Sequence, residues 1–432
     1  MPSPPIPGAG AVPTRRGGID AVLLAAAVAL VATAALHWTG TGMISDSWAY
    51  WQGAISLATG NGYTYFSGPP VAAWPPLYSL YLAVWVALFG AYGWVLATAT
   101  GLLVVLQAAL WMRLLRTVAD DGGLAAPRGT WLLLAVFTGL FLAVHQRYPF
   151  GQALVYVILP PFLENLWKLV VRGDARRGPA IVGLALLLPL THTASFAFLA
   201  AAAVMLAARR PWTARNLVLA GLVAGLPALA WIVERLALGQ AGSHCIGLGA
   251  GRFDPAAYAL QLLDGPGRLL VPDRFGAATV VMALAWAVAL GLAIAGPGQR
   301  ALRFGLTFVA LALAGLFALF NLAWILAPIG GRFVLFVPVL FAAMLALAAA
   351  TRKPAVGGAL LVLLLVPQVF WFGTWMLEQR DSAQLFARQP TAFLPHDGYA
   401  SRDYRDGPPI RRDGRLLVAP DPRIEHEQPC RP

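Results

Sequence analysis

Apolar runs of about 20 residues recur along most of the chain, and short polar turns separate them. A run of this length without charges is typical of a helix that crosses the hydrocarbon core of a bilayer. We therefore predict an all-α polytopic integral membrane protein with about 11 transmembrane helices. The predicted spans are residues 19–38, 94–112, 130–146, 150–171, two short helices within 179–208, 216–237, 276–295, 304–327, 333–350 and 355–377.

One apolar stretch, residues 75–90, is barely long enough to cross a bilayer. It begins with the Pro75-Pro76 pair, which suits the start of a helix. Counting it as a span would also place the following basic loop on the wrong side of the membrane. We therefore predict a juxtamembrane helix on or in the outer leaflet, inside a large first outer loop that covers residues 39–92.

A second stretch, residues 179–208, is too long for a single span. It contains Pro189 and the polar run 191–195, and both features interrupt a membrane helix. We predict two short helices that meet at the outer side, with His192 in the break.

The distribution of charge supports this topology. Hydrophobic residues make up 59% of the chain, charged residues only 12%, and the formal net charge is +12. The basic residues fall into clusters that apolar stretches separate, and placing all of them in the cytoplasm satisfies the positive-inside rule. The positive charge therefore needs no nucleic-acid partner. The clusters are Arg15–Arg16, Arg113–Arg128, Arg172–Arg177, Arg209–Arg215, Arg300–Arg303 and Arg352–Lys353.

This arrangement predicts a multi-pass protein of the plasma or inner membrane, with a cytoplasmic N-terminus and an extracytoplasmic C-terminus. The transmembrane domain covers residues 1–377, and a tail at 378–432, rich in Asp, Arg and Pro, is expected to be partly flexible. The richness in Ala, Gly, Arg and Pro is typical of a GC-rich bacterial gene. Because the inner loops are short and basic, we expect function at the outer face.

The first outer loop is much longer than a connection between two spans requires. It carries an acid soon after the first span, then a small-residue helix, a Gly-x-Gly-aromatic turn and a Pro-Pro-Leu helix that ends in Phe-Gly. This combination resembles the first loop of GT-C class glycosyltransferases, in the branch of the protein O-mannosyltransferases and the lipid A aminoarabinose transferase. The segments are DSWAY at 46–50, LATGNGY at 57–63, WPPLY at 74–78 and LFG at 88–90.

The resemblance implies a GT-C-like fold and a membrane enzyme that moves a monosaccharide from a polyprenyl-phosphate donor to an extracytoplasmic acceptor hydroxyl, with inversion if attack is direct. Such a transfer needs a base for the acceptor proton and cations for the leaving phosphate. Asp46 is the predicted catalytic base, and Tyr50 in the same motif is predicted to bind substrate. The alternative for Asp46 is a helix-capping role, because Ser45 and Asp46 open a predicted helix.

Five further substrate-binding residues are predicted. They are Tyr148, in the outer turn at 145–150, and four residues that each have an alternative role. Arg147, next to Tyr148 in the outer turn at 145–150, either binds phosphate or is a snorkelling interfacial cation. Glu164, an acid at membrane depth, either serves the site or pairs with Lys168 one turn away.

The other two lie in later segments. His192 occupies a break where relatives carry Lys or Arg, so it either contacts the donor phosphate or lines the kink. Arg332, which resembles an arginine at the outer start of a late span in these enzymes, either binds the lipid phosphate or anchors the helix at the interface.

A metal cofactor is not expected. Many relatives pair two acids in the first loop, whereas Asp46 is the only acid between residues 21 and 119. Divalent cations such as Mg²⁺ and Ca²⁺ take several oxygen ligands, which this loop alone does not supply. Two other function classes stay open: a transporter or flippase of lipid-linked sugars, and an inactive scaffold of an envelope-assembly complex. The absence of an evident internal repeat and the concentration of polar residues at one face speak against a transporter.

Overall fold

The computed structural model describes residues 16–38, 45–64, 71, 74–209, 213–237, 255–271, 277–296, 298–322 and 333–388. Within these residues the chain is α-helical, with two 3₁₀ turns at Ala175–Arg177 and Thr193–Ser195. The helices are α1 (Arg16–His37), α2 (Ser45–Ala58), α3 (Pro76–Phe89), α4 (Gly93–Gly122), α5 (Arg128–His145), α6 (Gly151–Val170), α7 (Gly178–Thr191), α8 (Phe196–Ala207), α9 (Ala214–Ala237), α10 (Pro255–Leu270), α11 (Ala277–Ala295), α12 (Gln299–Leu322), α13 (Phe336–Arg352) and α14 (Pro354–Arg388).

Eight of these helices are long and apolar enough to cross a membrane, namely α1, α4, α5, α6, α9, α11, α12 and α14. The shorter helices α7, α8 and α13 cover the other three predicted spans. The prediction of an all-α polytopic membrane protein is therefore confirmed.

The first loop begins and ends at the same end of the helix bundle. Helix α1 runs parallel to α5, since Asp20 pairs with Arg128 at 2.9 Å and Gly139 packs on the Ala25 carbonyl. It runs antiparallel to α4, where Gly101 lies against Thr33. Helix α3 does not cross the bundle, so the predicted juxtamembrane helix is confirmed.

Helix α3 is held by hydrogen bonds to its neighbours. The Ser79 hydroxyl donates to the Tyr50 carbonyl of α2 at 2.8 Å, and the Tyr81 hydroxyl donates to the Ala99 carbonyl of α4 at 2.7 Å. The opposite flank, with Val84 and Leu88, is exposed, as expected of a helix at a bilayer surface. Packing on α2 and α4 thus fixes the position of the first loop.

The basic clusters gather at the other end of the bundle. Arg172 pairs with Asp121, Arg215 donates to the Ala175 carbonyl, and Arg352 donates to the Ala295 carbonyl. We call this the basic end. The loop end is the opposite one, which carries α2, α3, the 145–150 turn, the break at 191–196 and residues 333–335. The predicted break is confirmed, because α7 ends at Thr191 and α8 begins at Phe196.

Several predicted boundaries were wrong. Helix α4 runs to Gly122 rather than 112, α12 begins at Gln299 rather than 304, and α14 runs to Arg388 rather than 377. The predicted end of the α12 span, residues 323–327, lies outside the described residues. Helix α10 lies between the predicted spans 216–237 and 276–295, where no helix was predicted. Hydropathy marks the apolar core of a membrane, whereas a helix continues while its charged residues find partners. In α4 the polar last turns pair with arginines, and Gly123 ends the helix with a positive φ of 74°.

Candidate functional site

The break between α7 and α8 is organised by His192. Its backbone is extended, with φ −164° and ψ 130°, and it ends α7. The ring Nδ1 accepts a hydrogen bond from the Ala194 backbone N–H at 3.1 Å, which fixes the ring over the short 3₁₀ turn. His192 therefore caps this turn in the way that Asn or Asp caps a helix.

The opposite nitrogen of the same ring meets Gln152 in the first turn of α6. The His192 Nε2 atom lies 3.0 Å from the side-chain amide of Gln152, which is 3% exposed. Because Nδ1 accepts, the neutral ring carries its proton on Nε2. The Gln152 side chain must then accept this hydrogen bond through its amide oxygen. This orientation and the one that presents the amide nitrogen differ only by a 180° rotation of the amide group. The Ala194 N–H therefore selects the tautomer of His192, and Gln152 holds the plane of its ring.

Tyr50 reaches the same place from α2. A Cβ atom on Gly151 would lie 2.5 Å from the Tyr50 hydroxyl oxygen and 2.6 Å from the Thr191 carbonyl oxygen. Only glycine fits there. The start of α6 and the end of α7 therefore both lie close to the Tyr50 hydroxyl. The Tyr50 ring is buried and packs edge-on against Tyr78 of α3 with 5.1 Å between ring centroids.

Asp46 lies in the first turn of α2, four residues before Tyr50. Residues four apart lie on the same face of a helix, so its backbone position is one turn from the residue that contacts α6 and α7. Its place in the first turn is also the one that the capping alternative requires. Both interpretations of Asp46 stay open.

The segment after Arg332 closes the site. Arg332 itself lies outside the described residues, but Phe333 packs edge-on against the His192 ring with 5.4 Å between centroids. Two residues further, the backbone of Leu335 hydrogen-bonds the buried Tyr156 side chain of α6. The chain next to Arg332 thus reaches the His192 break.

Arg147 and Tyr148 occupy a separate position at the loop end. The Arg147 guanidinium is 9% exposed and lies between two rings, 3.3 Å from the centroid of Trp375 and 4.3 Å from that of Tyr148. It also donates to the Tyr148 hydroxyl at 3.0 Å. These cation–π contacts join the 145–150 turn to α14. The predicted phosphate contact of Arg147 stays a prediction, and snorkelling is disfavoured by its burial.

Glu164 lies on the far side of the molecule. It is 13 residues after Gly151 in α6, which places it about 20 Å along the helix toward the basic end. Its carboxylate contacts Arg113 at 3.1 Å and Lys168 at 2.5 Å. These contacts favour the alternative of an ion pair, and a substrate-binding role for Glu164 stays a prediction.

Sequence reasoning missed the partners that position the predicted residues. Gln152, Gly151 and Phe333 carry no motif, and only contacts between distant segments single them out. The sequence offered one signal for Gln152, which is that a polar side chain stands in an apolar segment directly after the predicted outer turn. Within the part of the chain that the structure describes, no group of three His, Cys, Asp or Glu residues is placed to hold a metal ion.

No protein-family model and no curated protein matches the sequence. Among solved structures, the chain is similar to the crystal structure of ArnT from Cupriavidus metallidurans bound to undecaprenyl phosphate. The TM-score is 0.48 and the identity 15%, over 87% of this chain and 81% of that one. A likeness at this level assigns no family, so the function has to be argued from the residues of the site.

Proposed function

We propose that this protein is a GT-C-like membrane glycosyltransferase, which moves a monosaccharide from a polyprenyl-phosphate donor to an extracytoplasmic acceptor hydroxyl. The observation that carries the proposal is the meeting of residues from distant parts of the sequence. Tyr50, His192 and Arg332 were singled out in three separate segments by one resemblance. The contacts of Tyr50 with Gly151 and of His192 with Phe333 bring these segments together at the loop end.

In the proposed reaction Asp46 takes the proton of the acceptor hydroxyl as its oxygen attacks the anomeric carbon of the sugar. A new bond forms between that carbon and the acceptor oxygen, and the bond to the phosphate oxygen breaks. The polyprenyl phosphate leaves with the bonding electrons, and direct attack inverts the anomeric centre. Arg332 is the proposed counter-charge for the leaving phosphate.

His192 plays a different part from the Lys or Arg of relatives. Its Nδ1 is committed to the Ala194 N–H and its Nε2 to Gln152, so it is held as a neutral hydrogen-bonding group. We propose that it shapes the site beside the phosphate, while the positive charge comes from Arg332. The Tyr50 hydroxyl, packed against Gly151, forms one boundary of the proposed site.

The proposed orientation follows from charge. Every basic cluster with described contacts lies at the basic end, so the positive-inside rule assigns that end to the cytoplasm. The loop end then faces outward, where lipid-linked sugars meet extracytoplasmic acceptors, in the plasma or inner membrane. The broken helix also occurs in transporters, but there the break lies near the bilayer midplane, whereas here it lies at the loop end.

The test is direct. The purified full-length protein is incubated with a panel of polyprenyl-phosphate monosaccharides, and release of polyprenyl phosphate is measured with and without simple acceptor alcohols. We expect one donor to be consumed and the product to have the inverted anomeric configuration. If no donor is consumed, and labelled donor is instead moved across proteoliposome membranes, the transporter interpretation replaces the enzyme.

A further inference from the structure

We propose that Glu234 of α9 is a second carboxylate of the site, where it accepts hydrogen bonds from hydroxyl groups of the transferred sugar. This inference rests on the proposed function and adds a residue that no sequence motif marks. Three observations carry it: the level of Glu234 along the bundle, the face of α9 on which it lies and the burial of its carboxylate.

The level follows from the packing of α9 on α7. Both helices run from the basic end to the loop end, and Leu219 lies beside Gly178, within 3.8 Å of where a Cβ would stand. His192 is about 21 Å further along the axis of α7, and Glu234 is about 22 Å beyond Leu219 on α9. The two residues are therefore at the same height.

A ring contact confirms this register. Trp231, one turn before Glu234, packs edge-on against Phe196 with 6.0 Å between centroids. Phe196 is the first residue of α8 and follows directly on the 3₁₀ turn that His192 caps. The last turns of α9 thus stand against the break in the chain.

The face of α9 is the inner one. Ala220, Val223 and Pro227 are buried and recur at helical spacing, and Glu234 continues the same stripe. Ile232 and Val233 beside it are exposed, as expected for residues that contact lipid. Both carboxylate oxygens of Glu234 are buried, although the residue as a whole is partly exposed. The carboxylate therefore points into the bundle and not toward the bilayer.

Chemistry gives this placement a meaning. An ionisable side chain at membrane depth that faces the interior of a helix bundle is a candidate functional residue, because its burial is costly. A carboxylate is an acceptor only, with two oxygens that suit vicinal hydroxyl groups, as a sugar presents them. A position beside the His192 break puts these oxygens where the sugar of a bound donor would lie. Glu164, the acid that the sequence favoured, is at the other end of the bundle.

The experiment compares Glu234→Gln and Glu234→Asp with the wild type. Affinity is measured for a polyprenyl-phosphate sugar that the wild type consumes and for bare undecaprenyl phosphate. We expect Glu234→Gln to weaken binding of the sugar-bearing lipid by about ten- to a hundredfold, because a hydrogen bond to a charged acceptor is lost. Binding of the bare lipid should stay within about twofold, and Glu234→Asp should recover part of the loss.

Thermal unfolding of the same variants separates a site residue from a structural one. Glu164→Gln is the structural control, because it breaks an ion pair that the structure contains. We expect Glu234→Gln to stay folded at the temperature of the binding measurement, so that the affinities are those of the native protein. A stability loss as large as that of the control, with an unchanged preference for the sugar-bearing lipid, would overturn the role of Glu234.

The two proposals fail in different ways. A wild type that consumes a donor, with Glu234→Gln equally selective, refutes the inference and leaves the glycosyltransferase intact. A wild type that consumes no donor refutes the function. In that case the role in sugar binding falls with it, and the unfolding data still decide whether the Glu234 carboxylate is structural.

Discussion

The two ends of the bundle hold their charges in opposite ways. At the basic end, five carboxylates each contact an arginine or lysine. At the loop end, the Arg147 guanidinium lies between two aromatic rings and His192 bonds to an amide. The charged pair among the described residues there is Asp264 with Arg268, one turn apart on α10. The carboxylates in question at the basic end are Asp20, Asp120, Asp121, Glu164 and Asp174.

The difference teaches what each end is for. The charge of a paired carboxylate is balanced by its arginine or lysine, so it attracts a ligand only weakly. Such a pair instead holds two helices or two turns in place. The hydrogen bond from Arg177, for example, lowers the pKa of Asp174 in the exposed turn before α7. Neutral partners fix a polar side chain without cancelling a ligand's charge, which suits a site for an anionic phosphate. The comparison can be broken or sharpened by five measurements.

The largest expected effect is in a thiol-labelling experiment that tests which end of the bundle faces the outside of the cell. In a background with Cys245→Ser and Cys430→Ser, Thr59→Cys and Ala125→Cys place single thiols at exposed positions of the loop end and the basic end. In intact cells we expect an impermeant thiol reagent to label Cys at 59 fully and Cys at 125 hardly at all, with both labelled after permeabilisation. The nearby Gly60, Gly62 and Gly123 have a positive φ and are therefore left unchanged. Equal labelling in intact cells would contradict the proposed orientation.

Asp46→Asn tests the chemistry of the loop end. The amide keeps the size of the side chain and caps a helix nearly as well as Asp, but it removes the proposed base. We expect turnover to fall by about 10²–10⁴ while donor affinity stays near that of the wild type. Asp20→Asn, the same change in the ion pair with Arg128 at the basic end, is the control and should keep normal turnover. Normal turnover in Asp46→Asn would leave that residue with its capping role.

Arg332→Ala tests the proposed contact with the donor phosphate, and Arg352→Ala, which removes the same side chain at the basic end, is its control. Arg352 donates to the Ala295 carbonyl at the basic end. Loss of a charge-assisted contact to phosphate costs about 1.5–3 kcal/mol, so donor affinity should fall about ten- to a hundredfold for Arg332→Ala alone. Equilibrium binding of a fluorescent polyprenyl phosphate measures both. Equal affinity in the two variants makes Arg332 an interfacial anchor.

Glu164→Gln tests the ion-pair interpretation at the basic end. The substitution leaves Lys168, whose side chain is 17% exposed, without its carboxylate. We expect a loss of about 1–3 kcal/mol in the free energy of unfolding, with turnover of the folded fraction nearly unchanged. Chemical denaturation in detergent together with an activity assay decides. A fall in turnover at unchanged stability would instead support the substrate role that the resemblance implies.

Gln152→Leu has the smallest expected effect. It removes the hydrogen bond that holds the plane of the His192 ring, and a neutral hydrogen bond contributes about 0.5–1.5 kcal/mol, so turnover should fall about two- to tenfold. Gln152→Glu gives a second readout, because a carboxylate beside the ring raises the pKa of His192. If neutral His192 is required, the acidic limb of the pH–rate profile should move to higher pH. An unmoved profile would place His192 outside the reaction.

Much of the fold could be predicted from the sequence, because the features that determine each membrane helix lie within its own segment. A bilayer imposes its thickness on every span, so apolar length alone located α1, α5, α6, α9 and α11. Pro189 and the polar residues after it located the break at His192. Boundaries failed where the chain leaves the apolar core, because the end of α4 depends on ion pairs and a glycine cap that hydropathy does not report.

The site was accessible only in part. The resemblance named Tyr50 and His192, and the structure brings both to the start of α6. It also named Glu164, whose contacts lie at the basic end, and it passed over Glu234. Spacing along one helix says on which face a residue lies, but the height of that residue relative to a neighbouring helix depends on how the two pack.

The sequence by itself determined the membrane class, the segregation of basic residues and the non-spanning α3, because bilayer thickness and the energetic cost of charge act on each segment separately. Only the tertiary structure decided which polar groups share a site. The Gln152–His192 bond, the fit of Tyr50 at Gly151 and the height of Glu234 each join segments that are far apart in the chain. Such contacts arise from helix packing, and no single segment contains the information that fixes them.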